Sequence, residues 1–399
     1  MLKVILKIHL FSSLTIQQLI VKVLFITHYS ELYGANKSLL DLLVGLKQFP
    51  LEPIVLLPHE GEMCHKLDEI GVKRIVYSFK NPFVYRWRSK NKLFKFFHDG
   101  RFLILGIYNQ IINCIIIKKI KCHKYISDIS LIYSNASVMT IGEDLSKKLK
   151  VPHIHQIREL ATKLSLLPSL GLKWYERKIK NSELIIFNSC FTQKQFTSNY
   201  ILSNTLVIYN EIRKPEIVQP IILEKNHFKI GIFGYLSSQK NQIEALTATS
   251  LIDKSKDIKL YLVGGGSSEK LIDYVDSLSI NNRVQFVGYT NNIGAYYDEM
   301  DIVIVCSKNE ALGRVTVEAM LSSKCVIGKN SGATAEIIDH NVNGLLYNTV
   351  YELAHNIEFL YENPTKRHEM AENGYKNAVT KFASGSSIKS IYNEIIKLI

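Results

Sequence analysis

Two glutamates, Glu310 and Glu318, stand eight positions apart in the stretch NEALGRVTVEAM, with Gly313 and Arg314 between them. Carboxylates accept hydrogen bonds from hydroxyl groups, and a guanidinium beside them holds anions. The stretch therefore has the makings of a polar binding site. In one continuous helix the two carboxylates would lie roughly 12 Å apart. The neighbouring sequence argues against a single helix. MDIVIVCS (300–307) is a short β-branched run that reads as a buried strand, and VTVEAMLSSK has Val315, Ala319 and Met320 at helical spacing. Glu310 then belongs to the loop leaving a strand and Glu318 to the first turns of the next helix. Both can face one crevice at the carboxyl end of a sheet, where open α/β sheets bind ligands.

Other strand ends supply partners for such a crevice. In GIFGYLSSQKNQIEAL a strand closes at Gly231–Phe233, Gly234 turns the chain, and a helix begins near Asn241 with Lys240 beside it. Backbone N–H groups at that helix start make an anion site, which a diphosphate would suit. LVGGGSSEKL (262–271), with Gly264, and NSGATAEII (330–338), with Gly332, are further strand–turn–helix junctions. Each alone reads as an ordinary tight turn. Together, at successive strand ends of one sheet, they converge on a nucleotide-sized crevice.

The elements that must position these residues alternate along the whole chain. VKVLFITHY (21–29) leads through a glycine turn to NKSLLDLLVGLKQF, and EPIVLLP to GEMCHKLDEIG. LIYSNA, VPHIHQI, ELIIFNS and TLVIYN follow, and after a polar, proline-containing connector at 214–226 the pattern restarts with FKIGIFGYL. This is βαβ grammar, which implies parallel sheets covered on both faces. The expected fold is α/β, with two Rossmann-like domains at 21–214 and 215–399 and no third module. Residues 1–20 read as an apolar extension, from an upstream start or as a weak anchor, since Lys3, Lys7 and His9 interrupt any spanning helix. Residues 102–117 are more apolar, but Asn109, Gln110 and Asn113 interrupt them, so a buried helix is expected there.

A length of 399 residues with 47% apolar content suits two cores. Six scattered cysteines without a CxxC pair read as reduced, buried thiols, and no metal site is expected from them. The net charge of +13 is concentrated. Residues 80–125 hold eleven Lys/Arg against one acid, Asp99, interleaved with Phe79, Phe83, Tyr85, Trp87, Phe94, Phe96 and Phe97. Such a stretch is either a solvated lysine-rich surface or a patch that meets an anionic membrane or lipid-linked substrate. No RNA- or DNA-binding motif accompanies it, so nucleic acid is not an expected partner.

The ordered segments FGYLSSQKN, YLVGGGS, VQFVGYTNNIGAYYDEMDIVIVCS, the Glu310/Glu318 pair, NSGATAEII and NVNGLLY resemble the donor-binding domain of the retaining GT-B glycosyltransferases of family 4. The likeness covers about 150 residues in order and spacing. In the first half, HYSELYGANKSLLDLL resembles the family's glycine-containing first loop, here Gly34, Ala35 and Asn36. The resemblance implies two domains facing a central cleft. It implies that Glu310 contacts hydroxyls of the donor sugar and that Glu318 holds the ribose. Gly234, Lys240, Gly264, Leu312, Gly313 and Arg314 would then line the donor, with Lys240 and Arg314 near its diphosphate. Two positions depart from the family pattern. Tyr235 stands where an arginine is common, and Arg158, followed by Glu159, stands where many relatives carry a histidine. An arginine cannot serve as a base and would orient sugar or phosphate. His155, three residues earlier, reads as part of the strand.

The expected activity is metal-independent transfer of a sugar from a nucleoside diphosphate donor to an acceptor hydroxyl, with no cofactor. Glu310, Lys240 and Arg158 would carry catalysis. A lipid-linked saccharide on the inner face of the plasma membrane is the expected acceptor, in surface polysaccharide assembly. A GT-B sugar-nucleotide epimerase and a catalytically decayed scaffold are the alternatives. A dinucleotide-dependent oxidoreductase is excluded because no GxGxxG follows Val21–Tyr29.

Overall fold

The computed structural model describes residues 20–85, 92–160, 166–224 and 227–399. Residues 1–19 of the extension and Arg86, Trp87, Arg88 and Lys90 of the basic stretch lie outside the described residues. So do the side chains of Tyr85, Lys92, Phe94, Lys95, Phe96, Phe97 and Asp99.

Fifteen strands are described, in two large sheets and one small one. The seven-stranded sheet has the order β3-β2-β1-β5-β6-β8-β9. Its strands are β1 (Val21–Ile26), β2 (Leu51–Leu57), β3 (Lys73–Val76), β5 (Leu131–Ser134), β6 (His153–Ile157), β8 (Leu184–Phe187) and β9 (Thr205–Val207). The six-stranded sheet has the order β12-β11-β10-β13-β14-β15 and is parallel throughout. It comprises β10 (Phe228–Phe233), β11 (Ile258–Val263), β12 (Val284–Gly288), β13 (Ile302–Val305), β14 (Cys325–Lys329) and β15 (Leu345–Tyr347). Helices connect consecutive parallel strands, as the βαβ grammar requires. The fold is thus α/β with two doubly wound sheets, as expected.

The inner strands β10, β11, β13 and β14 of the second sheet are buried on both faces. Ile230, Ile232, Leu260, Leu262, Ile302 and Ile304 fill the core on one side, and Phe233, Tyr261, Val263, Val303 and Val305 fill the other. That alternation explains why these strands read as unbroken apolar runs.

The chain forms two compact units. Of the described residues, one gathers those within Met1–His155, Ser165–Leu184 and Tyr392–Ile399, and the other those within Gln156–Leu164 and Ile185–Ile391. This division differs from a single break near residue 215. The chain passes between units more than once, and the closing residues return to the first, where Tyr392 stacks on Phe49 with centroids 4.3 Å apart. The small sheet was not foreseen: β4 (Phe83–Tyr85) pairs antiparallel with β7 (Leu166–Pro168).

One sequence expectation is overturned. Residues 102–117 lie in the helix Lys92–Lys121, but that segment is not buried. Leu103, Ile104, Leu105, Ile107, Tyr108, Ile111 and Ile115 are all exposed. The polar residues taken as interruptions are the inward-facing ones. Asn113 is buried and clamps the backbone of Lys80, accepting from its N–H at 2.8 Å and donating to its carbonyl at 2.9 Å. Gln110 donates to Asp144 at 2.9 Å.

Candidate functional site

The second sheet reverses its direction of growth at β10, which has β11 on one side and β13 on the other. Beyond the carboxyl ends of such strands lies the crevice that doubly wound sheets use for ligands. Lys240 and Glu310 line a small crevice at this point, together with Phe233, Val305 and Ser307. Lys240 arrives on the loop between β10 and the helix Gln242–Leu251, and Glu310 on the loop between β13 and the helix Arg314–Leu321.

The two side chains form an ion pair, Lys240 Nζ to Glu310 Oε1, at 2.5 Å. Glu310 is only 16% exposed in its side chain. Burial acts to raise its carboxyl pKa, but the Lys240 charge and hydrogen bonds from Lys240 and Ser307 outweigh it and hold the group below the ordinary range. Glu310 is therefore a carboxylate at neutral pH.

Glu318 lies one helical turn beyond Arg314 and is buried. Arg314 Nε donates to its Oε1 at 2.7 Å, and the Tyr297 hydroxyl donates to its Oε2 at 3.2 Å. Tyr297 is fully buried and stacks on Phe233, the last residue of β10, with centroids 3.8 Å apart. Burial and then the Glu318 charge push its phenol well above the usual value, so it remains a donor. Nothing in the local sequence singled out Tyr297 or Ser307. Their roles depend on strand order, not on spacing.

The loops are held by close backbone approach. A Cβ on Gly264 would sit 2.0 Å from the carbonyl oxygen of Gly234, and Gly264 has φ +156°. A Cβ on Gly332 would sit 2.7 Å from the amide nitrogen of Glu310, and Ala333 N–H donates to the Glu310 carbonyl at 2.9 Å. Gly313, at φ +80°, opens the Arg314–Leu321 helix. Gly264→Ala should thus force the β10 and β11 loops apart. We predict a fall of roughly 5–10 °C in the thermal midpoint, from strain of about 1–3 kcal/mol. Gly265→Ala, whose Cβ would meet only an ordinary contact at 3.6 Å, should cost little. Equal midpoints for the two variants in calorimetry would refute this reading of the loops.

Other expected site residues are placed differently. The Leu312 side chain is buried in the apolar core of the second unit, which leaves only its backbone for a ligand. Tyr235 is exposed. Arg158 follows β6, is buried, donates to Asn210 Oδ1 at 2.5 Å, and precedes Glu159 in the chain. His155 is interior to β6, with Nε2 2.8 Å from the Ala136 carbonyl oxygen. In the first unit Gly34 and Ala35 begin the helix Gly34–Leu46, and a Cβ on Gly34 would meet open space. Asn36 is buried: Thr27 donates to its oxygen, and its amide donates to the carbonyls of Tyr29 and Glu31. Its side chain ties the loop 27–31 to the start of the helix.

The chain is similar in sequence and fold to known proteins. An uncharacterized glycosyltransferase of Methanocaldococcus jannaschii is 28% identical over 268 residues, covering 64% of this chain and 72% of that protein. A Campylobacter jejuni α-1,4-N-acetyl-D-galactosaminyltransferase acting on an undecaprenol-linked saccharide is 28% identical over 59% of each chain. The Staphylococcus aureus capsular polysaccharide biosynthesis glycosyltransferase CapM is 23% identical, and 62% of its length is spanned. Among solved structures, Anabaena Alr3699/HepE in complex with UDP superposes with a TM-score of 0.75 at 22% identity, covering 95% of this chain and all of that one. The fold is that of the GT-B glycosyltransferases. Residues 213–377, all within the second unit, match the family described as glycosyl transferases group 1.

Proposed function

We propose that the protein is a retaining, family 4 type glycosyltransferase that moves a sugar from a nucleoside diphosphate to an acceptor hydroxyl. The observation that carries this reading is the Lys240–Glu310 pair at the β10/β13 strand ends, inside the matched domain. In donor binding the diphosphate would take Lys240, Arg314 and the uncapped starts of the helices Gln242–Leu251 and Arg314–Leu321. Glu310 would turn to the hydroxyls of the sugar and Glu318 to the ribose. The backbones of Gly234, Gly264, Leu312 and Gly313 would shape the pocket. Attack would proceed on the face from which the diphosphate departs, so catalysis rests on positioning and on stabilising that leaving group. UDP-sugars are the first donors to test, because crystal structures of the HepE neighbour hold UDP and UDP-glucose. The Campylobacter relative supports a lipid-linked saccharide as acceptor and CapM supports a role in surface polysaccharide assembly, which we assign to the cytoplasmic face of the plasma membrane. Gly34, Ala35, Asn36, Arg158 and Glu159 are assigned to acceptor or phosphate, Asn36 through its loop backbone. The basic stretch 80–125 is assigned to an anionic membrane surface.

A panel of UDP-, GDP- and ADP-sugars should raise the thermal midpoint for one donor class by mass action. Transfer should then require an added acceptor. Donor isomerisation or hydrolysis that proceeds equally without acceptor would point instead to an epimerase, and no nucleotide binding in calorimetry would point to a scaffold. We further expect turnover to survive EDTA, with Lys240, Arg314 and the helix starts neutralising the diphosphate and no cofactor needed. A strict requirement for Mg²⁺ or Mn²⁺ would show that reading of the diphosphate site to be wrong.

A further inference from the structure

The segment Gly100–Lys121 has an inverted pattern. Its uncharged polar residues Asn109, Gln110 and Asn113 turn toward the protein beside the buried Ile116, Ile117 and Ile120, and its outer face carries Ile104, Ile107, Tyr108, Ile111 and Ile115 at the i, i+3, i+4 spacing of one helical stripe. Ile104 is 70% exposed. A single exposed isoleucine is unremarkable, but a stripe of them on one helix face marks a surface that meets another apolar phase. Beside it, Ile107, Ile111, Cys114, Ile115 and Leu170 line an apolar groove of about 330 Å³ with Lys118 at one end.

Charge identifies the partner. Exposed Lys118, Lys119, Lys121 and Lys124 continue directly from the stripe, and residues 100–127 contain no acid. An apolar face beside a run of ammonium groups complements the boundary between acyl chains and anionic headgroups. A water-soluble protein partner would need no such segregation.

The helix is also long and apolar enough to cross a bilayer. Its inner face argues against crossing. The Asn113 clamp on Lys80 and the Gln110–Asp144 bond tie it to its own unit, and a Cβ on Gly106 would sit 2.5 Å from Ser169 Oγ. Spanning would strip these polar groups of their partners inside hydrocarbon.

We infer that the outer face of Gly100–Lys121 lies in the plane of an anionic membrane, with the isoleucine stripe below the headgroups and Lys118–Lys124 among them. This deepens the membrane part of the proposed function and is independent of the donor chemistry. Electrostatic docking alone would be fully reversed by salt, whereas buried isoleucines would leave a salt-resistant component.

The test is flotation of the full chain with phosphatidylglycerol-containing and with purely phosphatidylcholine vesicles, at low salt and at about 0.5 M salt. It compares the natural protein with the quadruple variant Ile104→Ser, Ile107→Ser, Ile111→Ser, Ile115→Ser. The natural protein should favour the anionic vesicles and stay partly bound in high salt. The variant should lose that residual binding by about tenfold or more while unfolding at the same temperature. Equal, salt-reversible binding of both proteins would overturn insertion and leave only the basic stretch as a docking surface. Equal binding to both vesicle types would overturn the charge complementarity. A natural protein that ignores vesicles but is a dimer, made monomeric by the four serines, would show that a second copy covers the face. UDP titration of both proteins separates these outcomes from a failure of the donor reading.

Discussion

Replacing Lys240 with Ala should slow sugar transfer by about 10²–10³-fold, the loss seen when a preorganised donor to a developing negative charge is removed. The substitution has two consequences, of which the first accounts for that figure. The departing diphosphate loses an ammonium placed at the strand ends, worth about 2.7–4 kcal/mol in the transition state. Glu310, mostly shielded from water, also loses the charge that keeps its carboxyl below the ordinary range, so the substitution raises its pKa. Lys240→Arg should recover only part of the rate, because a planar fork does not reproduce a compact ammonium on a flexible stem. Steady-state kinetics at saturating donor decide the matter. A folded Lys240→Ala protein within threefold of the natural turnover would remove Lys240 from the mechanism.

The two glutamates should fail in different ways. Glu318→Ala should weaken nucleoside diphosphate binding by about ten- to a hundredfold, since a hydrogen bond to a charged group contributes about 1.5–3 kcal/mol. It also leaves the Tyr297 hydroxyl without its acceptor in a fully buried position. Glu310→Gln should leave that affinity unchanged or improve it. Free nucleoside diphosphate has no sugar for Glu310 to touch, and neutralising Glu310 releases Lys240 from its ion pair. Turnover should nonetheless drop, because the sugar changes shape and charge at the transition state. Calorimetric titration of UDP into both variants gives the answer. If Glu310→Gln binds it more weakly than Glu318→Ala, the assigned roles are reversed. If both bind it normally and only lose stability, the glutamates merely support their loop and helix.

How far this arrangement could be read from sequence depended on the kind of information each part required. Glu310 on a loop, Glu318 in a helix and Lys240 just before another follow from strand runs and helical spacing, which are local. The sheet rule then places strand ends together without knowledge of individual contacts. Tyr297 was out of reach because its contact with Glu318 spans 21 residues and needs β10 and β13 to be neighbours. Leu312 shows the opposite failure, since membership in a motif says nothing about whether a side chain or only its backbone faces the site. The pairing of β4 with β7 joins two three-residue strands far apart in sequence, with no periodic signal to detect. In Gly100–Lys121 the period was visible but its direction was not. Asn109, Gln110 and Asn113 looked like breaks in a buried segment, but hydrogen bonds of Asn113 to Lys80 and of Gln110 to Asp144 hold that side inward and turn the apolar side outward.

The glycine contacts in the second unit have a consequence for how this protein can change. The β10 and β11 loops meet where Gly264 lacks a Cβ, the β13 and β14 loops meet where Gly332 lacks one, and the Lys240–Glu310 pair joins the two sets. Substitutions in contacting groups do not add. Variation in any one of these loops is therefore conditional on the other three, and a new ligand preference is reached through coordinated changes more readily than through single steps. The loops form one unit of inheritance, and engineering of this crevice has to sample them together.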